Sequence, residues 1–343
     1  MRATSKKLIV AASLLLAVHL LAIFAGFIAP YNYSTQHREQ PFMPPSKVHW
    51  YDPNFRFRLH PYIYKVVSPE ESSTDYREEQ SEKLPIHWLV SGDEYRILGI
   101  FQCHKHLFGV DAPANLYLLG SDAFGRDQFS RVLNGAQVSL FSGLIAAVLA
   151  LGFGFFLGGI AGFYGGLIDD ALMAIAEISI ALPWLYLLIA VRAFLPLQIN
   201  PATAFLLVIA VIGIVGWGRP ARLVRGMVMT AKERNFVLAA RGFGASRVYL
   251  LRRHILPQVL GVVFTQAALL VPQFILAEVT LSFLGLGVGE PFPSWGNMLA
   301  GAQHYHVLTS YWWMLIPAVL PVPLFAIYHA LADALDERLR PSA

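Results

Sequence analysis

The stretch Val138–Phe163, VSLFSGLIAAVLALGFGFFLGGIAGF, decides the fold. It has no charged side chain, and as a helix rising about 1.5 Å per residue it is long enough to cross the hydrocarbon core of a bilayer, about 30 Å. Five further apolar runs are long enough to cross, or nearly so, at residues 8–29, 171–195, 202–218, 259–285 and 311–332. The sequence therefore predicts an all-α polytopic membrane protein with six transmembrane helices.

Composition supports this fold class. Of the 343 residues, 56% are apolar and 14% are charged, whereas soluble proteins carry about 25% charged residues. This composition excludes disordered and fibrous proteins. Nucleic-acid binding is also excluded despite the net charge of +4, because the basic residues are not spread over a soluble surface. The single cysteine, Cys103, excludes internal disulfides and a zinc ribbon.

The distribution of Lys and Arg predicts the orientation. Three lie in the N-terminal tail, nine in residues 219–257 and two near the C-terminus, while residues 196–201 and 286–310 have none. We expect both termini and the 219–257 loop to be cytoplasmic. Residues 1–30 then form the N-terminal tail and first transmembrane helix; the apolar run of that helix exceeds a signal-peptide core, which favours an uncleaved helix over a cleaved leader.

The long segment after the first helix is expected outside the cytoplasm. Residues 31–115 predict a small extracytoplasmic insert, α+β or β, between the first two helices. Ile86–Val90 and Tyr95–Phe101 predict two strands around a turn at Ser91–Glu94, and Tyr62–Val67 predicts a third strand. Some 85 residues form a marginal domain on their own, so we expect the insert to lean on a partner. A further stretch, 116–137, leads into the five-helix core, 138–343.

The sequence offers no catalytic or metal-binding motif. The run Cys103-His104-Lys105-His106 places the two histidines on one face of a strand, but Cys103 points away and a structural zinc site needs four ligands. We therefore expect exposed loop histidines and no metal site. No P-loop, H-E-x-x-H or G-x-S-x-G occurs in the chain. No catalytic residue and no bound cofactor are expected.

Two acids in the apolar runs, Glu177 and Glu278, are candidate pathway residues. Intramembrane acids are functional by default, but each lies only about 10 Å from the end of its run. For Glu278, pairing with a polar group on a neighbouring helix and contact with a substrate amine remain equally open. If such acids carried transport, the chain would be a stand-alone secondary transporter or channel. A scaffold that acts through residues 31–115 is a further alternative.

The run Asn235–Ser246, NFVLAARGFGAS, predicts a helix that stops at Gly242 or Gly244. A second helix is expected to follow and to end before Pro257. Small side chains in this run let another backbone approach closely, and its aromatic residues fit a helix-in-groove contact. Docking of a cytoplasmic partner and simple attachment to anionic lipid both remain open.

Several stretches carry a resemblance to a known family. They are the frame Ala239-Ala240, Gly244, Leu256-Pro257, and the runs at residues 119–127, 221–226, 281–287 and 293–299, which read LGSDAFGRD, ARLVRG, LSFLGLG and PSWGNML. The frame resembles the EAA loop of ABC-importer permeases, although Leu238 stands where the family has Glu. Together the runs resemble the C-type transmembrane permease subunit of dipeptide, oligopeptide and nickel ABC importers, over residues 1–30 and about 116–343.

This resemblance implies a type I ABC importer permease fold in the cytoplasmic (inner) membrane of a prokaryote. It implies a homologous B-type permease, two cytoplasmic ATP-binding-cassette ATPases that hold ATP and Mg²⁺, an extracytoplasmic substrate-binding protein, surrounding membrane lipid and no nucleic acid as partners. The substrate stays open among peptides, nickel chelates and oligosaccharides. The residues expected to couple to the ATPases are Phe236, Ala239, Ala240, Gly242, Gly244, Ala245 and Ser246.

Overall fold

A computed structural model describes residues 2–51, 57–67, 75–97, 99–194 and 200–339. The helices are α1 (Arg2–Ile23), α2 (Ala25–Ile28), α3 (Gln128–Tyr164), α4 (Gly166–Ala181), α5 (Trp184–Phe194), α6 (Pro201–Val215), α7 (Gly218–Lys232), α8 (Asn235–Gly242), α9 (Arg247–Leu250), α10 (Leu256–Phe283), α11 (Trp295–Ala300), α12 (Tyr305–Ser310), α13 (Ile316–Val319) and α14 (Pro321–Leu339). A π-helical turn covers Leu251–Ile255, and a 3-10 turn covers Trp312–Leu315. The strands are β1 (His49–Tyr51), β2 (Phe57–Val67), β3 (Arg77–Pro85), β4 (His87–Ile97) and β5 (Phe101–Gly109).

The helices confirm the predicted fold class. Five helical stretches are long and apolar enough to span a membrane, and the pair α4–α5, bent by 83°, makes a sixth when it is counted as one broken span. The bend lies at Leu182, whose backbone is extended (ψ 124°) because Pro183 follows and disfavours the helical region for the residue before it. A small β insert lies between the first two long helices, as predicted.

The fourth span is longer than the sequence predicts. The apolar run ends at residue 218, but the helical stretch extends from Phe205 to Lys232. Helix α7 is amphipathic, with Val224 and Val228 buried on one side, so its arginines lie on a helix rather than in the loop that the charge count indicates. The stretch 219–257 therefore begins with about four turns of helix.

Three glycines bring α3 and α7 into close contact. Gly154, Gly158 and Gly162 are spaced four residues apart on one face of α3. A Cβ added at Gly158 would lie closer than 3.0 Å to the carbonyl oxygen of Ala221, and one at Gly162 would lie 2.5 Å from that of Arg225. Repeated small residues of this kind let two membrane helices approach backbone to backbone.

The helix predicted to end before Pro257 instead continues through it. After α9, the turn Leu251–Ile255 has π-helical hydrogen bonding, and α10 then runs to Phe283. A proline lacks an N–H and clashes with the carbonyl four residues earlier. A π turn of this kind locally readjusts the helical hydrogen bonds, so Pro257 sits in the first turn of α10 without ending the helix.

The chain divides into two compact units. Unit 1 comprises residues 1–16, 140–281 and 321–343, and unit 2 comprises residues 17–139 and 282–320. Unit 2 contains a three-stranded antiparallel sheet, β1-β2-β3, and the hairpin β4-β5. Ile63, Ile86 and Leu116 form a buried cluster there.

The hairpin differs from its prediction. The expected turn at Ser91–Glu94 lies inside β4, where the register shifts between Ser91 and Tyr95, and the chain reverses between Ile97 and Phe101. A β-bulge absorbs the extra residues that the sequence pattern indicates as a turn. The predicted strand Tyr62–Val67 is confirmed as the second half of β2.

His106 is not the exposed loop histidine that the sequence predicts. It lies in β5 with 1% of its surface exposed, and its ring nitrogens face the carbonyl oxygens of Ala29 and Asp93. The residue is buried because the β4–β5 hairpin packs against α2. His104 is exposed, and no cluster of three metal-ligating side chains occurs among the described residues.

An ion-pair network organises the start of α3 within unit 2. Arg126 bonds Asp122 at 2.6 Å and Glu290 at 2.7 Å, and Arg131, 2% exposed, bonds Glu290 at 3.2 Å. Asp127 accepts hydrogen bonds from the backbone N–H and the hydroxyl of Ser130, as a helix-capping residue does. This network fixes the loop that contains residues 121–127 against the segment around Glu290.

Candidate functional site

A small apolar core in unit 1 supports the segment between α7 and α10. Val224 and Val228 of α7, Val237 of α8, and Ile255 and Val259 beyond it are all buried in this cluster. Val237 is 3% exposed and is the buried residue of α8. The segment is therefore a folded element held by its own core rather than a free loop.

The end of α8 is a Schellman motif. The N–H of Ala245 donates to the carbonyl of Ala240 at 3.1 Å, and the N–H of Gly244 donates to that of Arg241 at 3.0 Å. Gly244 has φ +85°, the left-handed conformation that this motif requires at the residue after the cap. The Ser246 hydroxyl then accepts from the N–H of Tyr249 and caps α9. The end of α8 and the start of α9 therefore both have hydrogen-bond partners within this segment.

The outer side of this segment carries large apolar side chains with no cover from the described residues. Phe243 is 93% exposed, and about half of the surface of Phe236, Leu238, Val248 and Tyr249 is exposed. Exposed apolar surface of this kind is typical of protein–protein or membrane contacts. The arrangement offers protruding aromatic groups on a rigid support, which suits a helix-in-groove contact.

The seven predicted coupling residues divide into two groups. Ala240 and Ala245 are half-buried and pack against the apolar core. They therefore hold the segment together, and their small size lets α8 lie close to α7. The exposed members are Phe236, Ala239, Gly242, Gly244 and Ser246.

One aromatic grouping was not predicted. The ring of His254 lies 6.1 Å from that of Phe236 and 5.5 Å from that of Tyr249, between centroids. The π turn that contains His254 brings it beside α8. No motif in the sequence signals this grouping, because eighteen residues separate His254 from Phe236 along the chain.

The two pathway candidates lie in different surroundings. Glu278 of α10 is 2% exposed, so it lies inside the helix packing. Glu177 of α4 is exposed, next to Ala176, which is buried against α7. The structure does not bring the two acids into one group.

A partly buried ion pair joins α4 to α7. Arg225 bonds Asp169 through two parallel hydrogen bonds of 2.7 and 2.6 Å, the bidentate geometry that makes such pairs strong. Nearby, the ammonium group of Lys232 donates to the carbonyl of Gly162 at 3.2 Å. Sequence reasoning missed this pair because it placed Arg225 in a loop.

Comparison with known proteins settles the class. Residues 154–341 match the family described as "Binding-protein-dependent transport system inner membrane component", and residues 5–45 match the "N-terminal TM domain of oligopeptide transport permease C". The chain belongs to the first of these families. The permease is 37% identical to a dipeptide transport system permease protein of Bacillus subtilis, over 67% of this chain and 70% of that one. A dipeptide transport system permease protein of Alkalihalophilus pseudofirmus is 32% identical, over 81% of this chain and 91% of its own.

Among solved structures, the permease is similar to a chain in inward-facing conformations of the MetNI methionine ABC transporter. The TM-score is 0.44 at 19% identity, covering 59% of this chain and 95% of that one. The family and the long apolar helices together make the chain an integral membrane permease subunit of an ABC importer. ATP hydrolysis belongs to separate ATPase subunits, so the permease is not an enzyme.

Proposed function

We propose that the permease forms half of the translocation pathway of a peptide importer and transmits ATPase motion through the segment Phe236–Tyr249. The exposed apolar face of that segment is the observation that carries the coupling role, because Phe243 is 93% exposed on a helix end whose hydrogen bonds are complete. The related permeases named for dipeptide transport support a peptide as the solute.

The coupling residues are proposed to act as a rigid lever. The aromatic side chains seat in a groove of the ATPase, and the small residues Ala239 and Gly242 let its backbone approach. ATP, with Mg²⁺, binds in the two partner ATPases, whose closure pulls the segments of the two permeases together. Because the segment has its own apolar core around Val237, it moves as a body and passes this motion to α7 and α10. Bistable packing then switches the open side of the pathway.

The remaining partners follow from the proposed orientation. With the N-terminal, 219–257 and C-terminal positive charges in the cytoplasm of a prokaryote, residues 31–115 lie on the outer side of the inner membrane. There Phe42 stacks on Tyr311 with 4.2 Å between centroids, which ties the insert to the segment before α14. We assign the insert, residues 31–115, to docking of the substrate-binding protein.

The two acids have separate proposed roles. Glu177 is exposed on α4 and is the one available to a solute or to the second permease. Glu278 is buried in α10, so a part in helix packing suits it better than direct solute contact. Between the two alternatives considered for Glu278, burial favours the first.

Substitution at Gly242 tests the coupling role. A Cβ added there meets nothing within 4 Å, so Gly242→Arg fits the permease itself and clashes only with a bound partner. We expect this variant to stay in the membrane with its partner permease and to lose the ATPases on gentle detergent extraction. Gly242→Ala should retain them, because one methyl group is small enough for the contact.

The control is Gly226→Arg in α7, where an added Cβ also meets nothing within 4 Å and the backbone is helical, as at Gly242. It should retain the ATPases and ATP-dependent uptake. Retention of both by Gly242→Arg would refute the proposed contact.

A further inference from the structure

Unit 1 contains a cavity of about 250 Å³ that has no part in the contact with the ATPases proposed above. Residues of α4, α5, α6, α7 and α10 line it. Most of the lining is apolar, and the polar side chains are Ser179, Arg219 and Gln273. Binding sites for small solutes have this composition, an apolar wall with a few placed polar groups.

Two broken helices meet at this cavity. The α4–α5 break contributes Leu182, and the α6–α7 junction contributes Gly216. The Ser179 hydroxyl donates to the carbonyl of Val215, which helps to satisfy the backbone where α6 ends. Irregular backbone at membrane depth is tolerated only where it is buried in protein or lines a water-filled cavity. The two breaks therefore border this cavity, and the Ser179 hydroxyl supplies one of the polar groups beside them.

Arg219 lies near the middle of its helical stretch, fourteen residues after Phe205 and thirteen before Lys232. It directly follows the apolar run that ends at residue 218, so it lies where that run meets the amphipathic helix α7. A charged side chain at the end of an apolar run that also lines a cavity is placed to meet a polar solute.

The charge of Arg219 is not used within the permease. Six residues further along the same helix, Arg225 is paired with Asp169. Arg219 is exposed and makes no ion pair or side-chain hydrogen bond with the residues that the structure describes. No acidic side chain lines the cavity, so Arg219 makes its lining positively charged. The amide of Gln273 adds a second group able to donate hydrogen bonds.

We propose that Arg219 and Gln273 bind the carboxylate of the transported solute as it passes through the pathway. This inference rests on the proposed function as a peptide importer and adds a residue-level contact for the C-terminal carboxylate. A guanidinium matches a carboxylate in two parallel hydrogen bonds. The site is a transient one, because a solute must leave it to complete transport.

The test compares two peptides in liposomes that contain the full importer with its ATPases, second permease and binding protein. One is a dipeptide with a free C-terminal carboxylate, and the other is its C-terminal amide, each supplied with the same binding protein. Arg219→Gln should lower uptake of the free dipeptide about tenfold relative to wild type, as loss of a hydrogen bond between charged groups does. Uptake of the amide, as a ratio to wild type, should be unchanged.

The matched control is Arg222→Gln on the same helix, since Arg222 is exposed but lies outside the cavity. It should leave both ratios at wild-type values. If the Arg219→Gln importer takes up both peptides as the wild type does, or if its uptake of both falls equally, carboxylate binding is refuted. If the wild-type importer takes up neither peptide with ATP, the proposed function itself fails, and the carboxylate site fails with it.

A second variant covers the case in which Arg219→Gln does not assemble. Arg219→Cys is made with Cys103→Ser, so that the introduced thiol is the chain's single cysteine. After assembly, a positively charged methanethiosulfonate should restore uptake of the free dipeptide and a negatively charged one should not. Equal effects of the two reagents would refute a role for the charge.

Discussion

Close packing between α3 and α7 makes a sharp prediction at neighbouring glycines. In Gly158→Ala, the new methyl group would lie closer than 3.0 Å to the backbone oxygen of Ala221, and a backbone atom does not move aside as a flexible side chain does. In Gly159→Ala, the nearest atom is the Cδ2 of Leu256 at 3.6 Å, an ordinary contact. The two variants add the same methyl group to the same helix.

The expected magnitudes follow from this geometry. Overpacking costs about 1–3 kcal/mol, and clash with fixed backbone places Gly158→Ala at the upper end. Replacing a helical glycine by alanine returns up to about 1 kcal/mol. The net loss is about 2 kcal/mol, or about 30-fold in the ratio of folded to unfolded protein. Gly159→Ala should be neutral or gain up to about 1 kcal/mol.

The assay is unfolding of the purified permease in mixed micelles by added dodecyl sulfate, followed by fluorescence of its seven tryptophans. The midpoint should fall for Gly158→Ala and stay or rise for Gly159→Ala. Equal midpoints for the two variants would show that α3 and α7 do not meet at this face, and the reasoning would be refuted.

Other sites give three further predictions. Gly244→Ala should destabilise the segment Phe236–Tyr249 by about 1–2 kcal/mol because φ is +85° at this residue. Gly244→Asn should destabilise it less, since Asn tolerates this conformation. Limited proteolysis of the segment compares the two variants, and equal cleavage rates would contradict the reasoning. Burial raises the pKa of Asp127 to about 7, despite its hydrogen bonds from Ser130. The contribution of Asp127 to stability should therefore fall as pH rises from about 4 to 7. If the thermal midpoints of wild type and Asp127→Asn change with pH in the same way, this prediction is contradicted. Burial would raise the pKa of Glu290, but Arg131 and Arg126 outweigh it and hold that pKa below its ordinary value. Because the Glu290 side chain is 54% exposed and that of Asp122 is 7% exposed, Glu290→Gln should lower the melting temperature less than Asp122→Asn, and the opposite order would refute the comparison.

The sequence predicted the fold well where a single physical signal dominates. Uninterrupted apolar runs such as Val138–Phe163 are required to cross a bilayer, so the all-α membrane fold is confirmed, with five spans, or six when the bent pair α4–α5 is counted as one. The run Asn235–Ser246 also predicted the end of its helix correctly, because a Schellman motif favours glycine at one position and Gly244 occupies it. Membership of the permease family, suggested by a few short runs, is confirmed by the family match over residues 154–341.

Two of the three wrong predictions share a physical cause, which is compensation by residues distant in sequence. The arginines of α7 indicated a loop, but Asp169 on α4 neutralises Arg225 and lets the helix continue. Pro257 indicated a helix end, but a π turn precedes it. His106 looked exposed until the carbonyls of Ala29 and Asp93 were brought to it by packing. Asp169 and Ala29 are far in sequence from the side chains that they contact, whereas the π turn before Pro257 is local and has no signal in the sequence pattern.

Within the coupling segment, local sequence could not separate inward from outward residues. Ala239 and Ala240 are adjacent and identical, yet Ala239 is exposed and Ala240 packs on the core. That distinction depends on how α8 is rotated by the burial of Val237. The role of these residues in coupling stays a prediction.

The central claim is that this permease transports solute only when ATPases act on its exposed loop. The most direct test is peptide uptake by liposomes that contain the permease with its partner permease and binding protein, with and without the ATPases. The account predicts uptake only with ATPases and ATP, and its loss in Gly242→Arg at normal permease content. Uptake by the permease alone, driven by an ion gradient and abolished by Glu177→Gln, would contradict the account.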